Sequence, residues 1–186
     1  MGSGASFTGS AAKITNCQVG VFASYVSRHG HAFIDRALYL PKAWTEDRPR
    51  LDQAHVPAAV TFATKPQLAA AMIERAIATA MPFSWVAADT VYGVGAIEMA
   101  LRRAGKGYVL GVSGASQFNS WGTAPIRAGT AAAVAGALDE GDWQRLSAGE
   151  GTKGARLYDW AYCPLADLDA ADYDGPATGQ IGRAHV

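Results

Sequence analysis

The chain has 186 residues, of which 49% are hydrophobic and 17% are charged. That composition excludes an intrinsically disordered chain and, at this length, predicts one globular domain of ordinary size. Sixteen basic and sixteen acidic residues cancel, so no overall field draws the chain to nucleic acid or to an anionic membrane. Any such affinity must come from a local patch or from a partner.

Cysteine usage and the absence of long apolar runs indicate the compartment. Cys17 and Cys163 lie far apart in apolar segments, which favours reduced, buried thiols over a disulfide framework. The spacing of these cysteines and of the four histidines does not match a structural zinc site. No apolar run approaches the length of a membrane span, and the N-terminus lacks a signal-peptide pattern. We expect a cytoplasmic protein with no membrane partner.

The N-terminal part of the chain predicts an irregular start followed by a β-hairpin. Residues 1–12 are rich in Gly, Ser and Ala, which predicts a loop or frayed end, with order from about Lys13. The segment QVGVFASYVSRHGHAFIDRALYLP then predicts two strands joined at 27–30. Alternation predicts one apolar face on each strand, formed by Val19, Val21, Ala23 and Tyr25, then by Ala32, Ile34, Leu38 and Leu40.

A connection and a helix are predicted next. Residues 42–60, KAWTEDRPRLDQAHVPAAV, are polar and punctuated by proline, which predicts a surface connection. Thr64 then precedes an amphipathic helix with Pro66 near its start. The apolar face of this helix is predicted to comprise Leu68, Met72, Ala76 and Ile77.

The stretch SWVAADTVYGVGAIEMALRRAGKGYVLGV predicts a βαβ unit. A buried strand over 85–88 ends on Asp89, a helix runs from about Gly95 to Ala104, and a second strand runs from Gly107 to Val112. The two strands of such a unit are parallel, and the crossover between them is right-handed. The sequence therefore predicts an α/β fold in which an antiparallel hairpin precedes a parallel pair.

After Val112 the pattern becomes looser, and we predict an inserted segment from about residue 113. Within it, TAAAVAGALDEGDW predicts a short alanine-rich helix, and GARLYDWAYCPL predicts a strand. Residues 166–186 carry no packing pattern and predict an irregular tail. The last six residues, IGRAHV, resemble the translation of a common sequencing adapter. We expect the natural sequence to stop near Gly179, with residues 181–186 outside the fold.

Two glycine-rich segments resemble nucleotide-binding motifs only in part. Gly93 and Gly95 follow a strand, but Glu98 stands where the third glycine of a dinucleotide fingerprint belongs. GEGTKG, residues 149–154, lacks the Lys-Ser or Lys-Thr pair of a phosphate loop and favours a flexible turn. A Rossmann-like nucleotide-binding enzyme remains an alternative, and it requires parallel strand order throughout the sheet.

Asp89 is the principal candidate for a functional residue. It could be the N-cap of the following helix, accepting hydrogen bonds from the first free amides. It could equally bind a hard divalent cation, because α/β sheets place their sites at the carboxyl ends of parallel strands. The sequence pattern alone leaves both interpretations open.

Six segments together resemble a known family: KITNCQVGVFASYV, FIDRALYLPKAWTED, FATKPQLAAAMIERA, WVAADTVYG, GKGYVLGV and WQRLSAGEGTKGARLYDWA. In this order they closely resemble the DDE superfamily transposases of bacterial insertion sequences, over nearly all of residues 7–179. The resemblance implies a ribonuclease-H-like fold, a mixed five-stranded sheet whose first strands are antiparallel, flanked by helices. It implies a partial catalytic domain over residues 13–165.

The resemblance also implies a reaction and a metal. In this family two Asp and one Glu hold two Mg²⁺ or Mn²⁺ ions, one activating the attacking water or 3′ hydroxyl and the other stabilising the leaving oxygen. Asp89 matches the second Asp and is the expected catalytic residue and metal ligand. The first Asp would precede Met1, and the Glu would follow the segment matching residues 154–165. We therefore expect a domain incomplete at both ends that by itself neither cuts nor joins DNA.

The resemblance implies that the full-length protein binds double-stranded DNA at transposon ends. It is also compatible with a homodimer of the full-length protein. A non-catalytic DNA-binding remnant is the other alternative, and its binding would be indifferent to metal and to Asp89. Arg102 and Arg103 are predicted to lie on the solvated face and C-terminal turn of their helix. The basic residues predicted to contact phosphates are Lys13, Arg28, Lys106, Arg127, Lys153 and Arg156.

Overall fold

The computed structural model describes residues 4–8, 13–119, 128–151, 154–165 and 180–185. The chain divides into two compact units, residues 1–110 and 111–186. The partial catalytic domain over 13–165, with its inserted segment from about residue 113, stays a prediction. The strands are β1 (Gly4–Thr8), β2 (Lys13–Cys17), β3 (Val19–Ser27), β4 (Gly30–Tyr39), β5 (Trp85–Ala88), β6 (Gly107–Leu110), β7 (Gln117–Asn119), β8 (Ala128–Thr130), β9 (Trp143–Gly151), β10 (Gly154–Leu165) and β11 (Gln180–His185). The helices are α1 (Lys42–Thr45), α2 (Arg48–Gln53), α3 (Lys65–Ala78), α4 (Gly95–Arg103) and α5 (Ala131–Gly136).

The predicted hairpin is confirmed, but the predicted apolar face of its second strand is wrong at Ile34 and Leu38, whereas Leu40, directly after β4, is buried as predicted. Strands β3 and β4 pair antiparallel, and Val21 lies opposite Ala37. Val21 is buried, whereas Ile34 and Leu38 on β4 are 41% and 46% exposed. Directly opposed residues share a face of the sheet. Pairing therefore turns Asp35, Ala37 and Tyr39 of β4 inward, and the register shift between Ala23 and Ser24 places Phe33 opposite Ser24 on the outward face.

An ion pair forms between the inward face of β4 and helix α3. The Arg75 guanidinium on α3 donates to Asp35 Oδ2 from Nε at 3.0 Å and from Nη2 at 2.7 Å. Hydrogen bonding to Arg75 holds the pKa of Asp35 below its usual value. A carboxylate can face the helix here because a cation satisfies it, and the pair joins α3 to β4.

The segment predicted as a surface connection, residues 42–60, instead forms helices α1 and α2 over a buried cluster. Leu51 is 0% exposed and packs with Leu40 and Trp44, each 7% exposed. The carboxylate of Asp47 caps α2 by accepting from the Arg50 amide at 3.1 Å. Polar residues and prolines supply caps and helix starts here, while two large apolar side chains supply the core.

Helix α3 confirms the predicted amphipathic helix. Thr64 and Gln67 form a reciprocal capping box, in which the Gln67 amide donates to Thr64 Oγ1 at 3.3 Å and the Thr64 amide donates to Gln67 Oε1 at 2.8 Å. Met72 is 3% exposed. The helix contacts β3, β4 and α4, so it links the hairpin to the βαβ unit.

The predicted βαβ unit is also confirmed, because β5 and β6 pair in parallel on either side of α4 in the chain. The prediction that strand β5 is buried is wrong, because Trp85 is 68% exposed. A β-carbon built on Gly107 would lie 2.6 Å from the Trp85 ring, so the ring rests on the bare glycine opposite it. Among the described residues, β3–β4 and β5–β6 are separate two-stranded sheets, and the continuous mixed sheet stays a prediction.

The second unit confirms the predicted alanine-rich helix, as α5, and the predicted strand, as β10. Strands β9 and β10 form an antiparallel hairpin. Residues 152–153, within the flexible turn predicted over 149–154, lie outside the described residues.

Two segments predicted to be irregular contain strands. Gly4–Thr8 pairs antiparallel with β2, and Gln180–His185 pairs antiparallel with β10. Strand pairing uses backbone groups that every residue except proline carries in full. A segment without an apolar pattern can therefore pair with a neighbouring strand.

Candidate functional site

Asp89 lies directly after β5, and its side chain closes a local turn. Its Oδ1 accepts a hydrogen bond from the Val91 amide at 3.0 Å, and its carbonyl accepts from the Tyr92 amide at 3.0 Å. Helix α4 begins later, at Gly95, with Val94 at the N-cap position and no side-chain cap. The N-cap interpretation of Asp89 is therefore wrong, because its carboxylate holds the turn rather than the helix.

The Asp89 carboxylate is exposed and acts electrostatically on Tyr92. Burial raises the pKa of Tyr92, and the negative charge of Asp89 raises it further. One carboxylate oxygen is held by a backbone amide, so the group has a fixed orientation at the carboxyl end of a parallel strand. That is a suitable position for a single oxygen ligand to a hard cation.

A complete two-ion centre is not formed by the residues that the structure describes. Within them, no group of three or more His, Cys, Asp or Glu side chains could hold a metal. Other acids have structural partners: Asp35 pairs with Arg75, and Asp159 pairs with Arg145 at 2.8 Å. Asp139 and Asp142 cap the short 3₁₀ turn Glu140–Asp142. Asp89 alone therefore does not fit a two-metal site.

The predicted phosphate-contacting residues are dispersed. Arg28 is exposed at the tip of the β3–β4 hairpin, where its Nε donates to His29 Nε2 at 2.9 Å. The Lys106 ammonium donates to the Phe83 carbonyl at 2.9 Å and lies 4.7 Å from the centre of the Phe83 ring. On β10, Arg156 donates to the Ala148 carbonyl at 3.0 Å. The structure describes only the backbone of Lys13, and Arg127 and Lys153 lie outside the described residues.

Arg102 is buried, contrary to the prediction that it lies on the solvated face of its helix. Its side chain is 5% exposed, with Nη2 donating to Glu98 Oε1 at 3.0 Å and Nε donating to Tyr108 Oη at 2.9 Å. The Tyr108 hydroxyl also donates to Glu98. The Glu-to-Arg spacing of four residues along α4 was a usable signal for this network, whereas the participation of Tyr108 required the fold.

Comparison with known families decides the assignment. The model of the DDE superfamily endonucleases matches residues 1–160 of the chain. The chain belongs to the DDE superfamily of endonucleases. Membership implies nuclease chemistry on DNA, a dependence on divalent metal ions and a ribonuclease-H-like fold. No curated protein and no solved structure shows a significant match.

The strand order and the helices bear on two further expectations from the sequence, the Rossmann-like alternative and the absence of a membrane span. The antiparallel pairing of β3 with β4 conflicts with the parallel order that a Rossmann-like enzyme requires. No helix in the described part of this DDE endonuclease is long and apolar enough to cross a membrane.

Proposed function

We propose that this chain is part of the catalytic domain of an insertion-sequence transposase. The full-length protein cuts double-stranded DNA at transposon ends and joins it to a target in a reaction that depends on Mg²⁺ or Mn²⁺. Asp89 is one of its metal ligands. The observation that carries this proposal is the exposed Asp89 carboxylate, oriented by the Val91 amide at the carboxyl end of β5.

The position of Asp89 supports a ligand role better than a purely structural one. The turn needs only one carboxylate oxygen, and an asparagine could supply the same acceptor through its amide oxygen. A negative charge beside the half-buried Tyr92 is an additional feature that the turn does not require. Within the described residues no further carboxylate joins Asp89 in such a centre, and the inactivity of this chain alone is part of the proposal, based on the family pattern.

Binding of Mn²⁺ tests the role of Asp89. At neutral pH we expect roughly millimolar Mn²⁺, the weak end of carboxylate sites, to broaden the amide NMR signals of Val91 and Tyr92. The Asp89→Asn variant should abolish the broadening while keeping the turn, because its amide oxygen still accepts from Val91.

Asp47→Asn is the matched control. Asp47 is also an exposed aspartate that accepts from a backbone amide, and its replacement should leave the broadening near Tyr92 unchanged. Equal broadening in wild type and Asp89→Asn would contradict the ligand assignment and favour a non-catalytic DNA-binding remnant. DNA strand cleavage by this chain alone, lost in Asp89→Asn, would contradict its proposed inactivity.

The genomic DNA on either side of the coding region tests the transposase assignment. Long-read sequencing and in-frame translation should reveal an upstream strand that carries an Asp and a downstream helix that carries a Glu. The junction should lack the QIGRAHV sequence. Genuine start and stop codons at the ends of this chain would instead exclude a longer catalytic domain.

A further inference from the structure

The outward face of the β3–β4 hairpin exposes a group of large apolar side chains, which we call the hairpin face. The opposite face contacts α3. The members of the hairpin face and their exposed fractions are Phe22 at 57%, Val26 at 73%, Phe33 at 75% and Leu38 at 46%. A contiguous exposed apolar surface on a folded unit marks a binding site more often than an isolated exposed side chain does.

The two phenylalanine rings of the hairpin face form an exposed aromatic surface. A β-carbon built on Gly20 would lie 2.7 Å from Cε2 of Phe22, so the Phe22 ring lies over the bare backbone of that glycine. The Phe33 ring is adjacent, with ring centres 5.4 Å apart and planes inclined by 51°. Glycine at position 20 thus leaves room for a ring that rests on the sheet and exposes its other side.

The charges on the hairpin are arranged asymmetrically. Within residues 19–39, the charged side chains at neutral pH are Arg28, Arg36 and Asp35. Asp35 faces inward and is paired with Arg75, whereas Arg28 and Arg36 are exposed. Arg36 lies directly opposite Phe22 on the neighbouring strand. The exposed side of the hairpin therefore combines aromatic rings with positive charge and carries no acidic side chain.

We propose that the hairpin face binds an unpaired strand of DNA. Bases would stack on Phe22 and Phe33, and Arg28 and Arg36 would contact the phosphates. Double-stranded DNA keeps its bases stacked inside the helix and offers these rings no flat partner, whereas an unpaired strand offers bases and phosphates together. An apolar protein partner would leave the two arginines to be desolvated without a counter-charge. The proposal rests on the proposed function in that DNA is the substrate.

Fluorescence anisotropy tests the proposal with a labelled oligothymidine and a labelled duplex of the same length. The full chain is titrated into each in EDTA, so that the result does not depend on whether Asp89 binds a metal. Phe33→Ala should weaken binding of the unpaired strand about tenfold, the usual effect of losing one stacked base, with little change for the duplex. Arg36→Gln should reduce the magnitude of the slope of log affinity against log salt concentration by about one, the contribution of one phosphate contact.

Leu157→Ala on β10 is the matched control, because Leu157 is also apolar and 56% exposed but lies in the other unit. It should leave the affinity for the unpaired strand unchanged. Equal affinity for both DNAs, or no effect of Phe33→Ala, would overturn the proposal. A dimer in sedimentation that Phe33→Ala dissociates, with unchanged DNA affinity, would overturn it in favour of an interface between two copies. The Mn²⁺ experiment can fail without affecting any of these results.

Discussion

Arg102→Ala should lower the free energy of unfolding by about 3–5 kcal/mol, the usual cost of removing one partner from a buried ion pair. The Arg102 side chain is 5% exposed and that of Glu98 is 19% exposed. Without the guanidinium, the mostly buried Glu98 carboxylate loses its cationic partner. Urea denaturation at neutral pH measures the change as a shift of the midpoint at constant slope.

Tyr108 increases the cost of this substitution. Burial and the hydrogen bond to Glu98 raise the pKa of Tyr108 well above its usual value, so the hydroxyl stays protonated at neutral pH and donates to Glu98. The Arg102 Nε in turn donates to the Tyr108 oxygen at 2.9 Å. Removing Arg102 therefore leaves two polar groups between α4 and β6 with fewer partners.

The neighbouring residue supplies a matched control for the Arg102 experiment. Arg103 follows Arg102 on the same helix but is exposed, so Arg103→Ala should change the unfolding free energy by less than about 0.5 kcal/mol. Adding Glu98→Gln to Arg102→Ala should recover part of the loss, because no unpaired charge then remains buried. Similar losses in the two arginine variants would mean that Arg102 is solvated and would contradict the network.

Leu51→Ala should lower the unfolding free energy by about 2–5 kcal/mol, the range for truncating a buried leucine. Leu51 is 0% exposed and packs against Leu40 and Trp44. Truncation removes apolar contacts and leaves a cavity, which α1 and α2 can close only in part because both helices are short. The measurement is again the urea midpoint, with far-UV circular dichroism to confirm that the helices persist.

Leu38→Ala is the control for Leu51→Ala, since Leu38 is in the same unit but 46% exposed. Its truncation should cost less than about 1 kcal/mol, because much of the side chain already contacts water. If residues 42–60 were a surface connection, the two leucine variants would lose similar amounts. A loss below 1 kcal/mol for Leu51→Ala would therefore contradict the buried cluster.

Local sequence patterns predicted the elements on which the site depends. Alternation with period two predicted β3 and β4, the Thr64 and Pro66 signals predicted α3, and apolar runs around a helical pattern predicted the β5–α4–β6 unit. These signals act over a few residues and do not depend on what packs against them. The position of Asp89 after β5 follows from the same patterns. The match over residues 1–160 bears out membership of the DDE superfamily, the broader part of the family resemblance.

Other features depended on contacts between residues far apart in the chain. Pairing with β3 turned Asp35 inward, and Arg75, far along the sequence on α3, made that orientation favourable. Tyr108 supplied part of the environment that buries Arg102, and Leu40 and Trp44 supplied the environment that buries Leu51. The chemistry of a side chain sets the free-energy cost or gain of burying it. Whether it is buried depends on the residues that pack around it in the folded protein.

The sequence by itself thus determined the order and type of the main elements, the family, and the candidate ligand at the end of β5. Only the tertiary structure decided which face of β4 is buried, that residues 42–60 join a core, and that the Asp89 carboxylate closes a turn instead of capping α4. The physical reason is that helix and strand periods are local properties of the chain. Burial, ion pairing and strand pairing depend instead on which distant residues folding brings into contact.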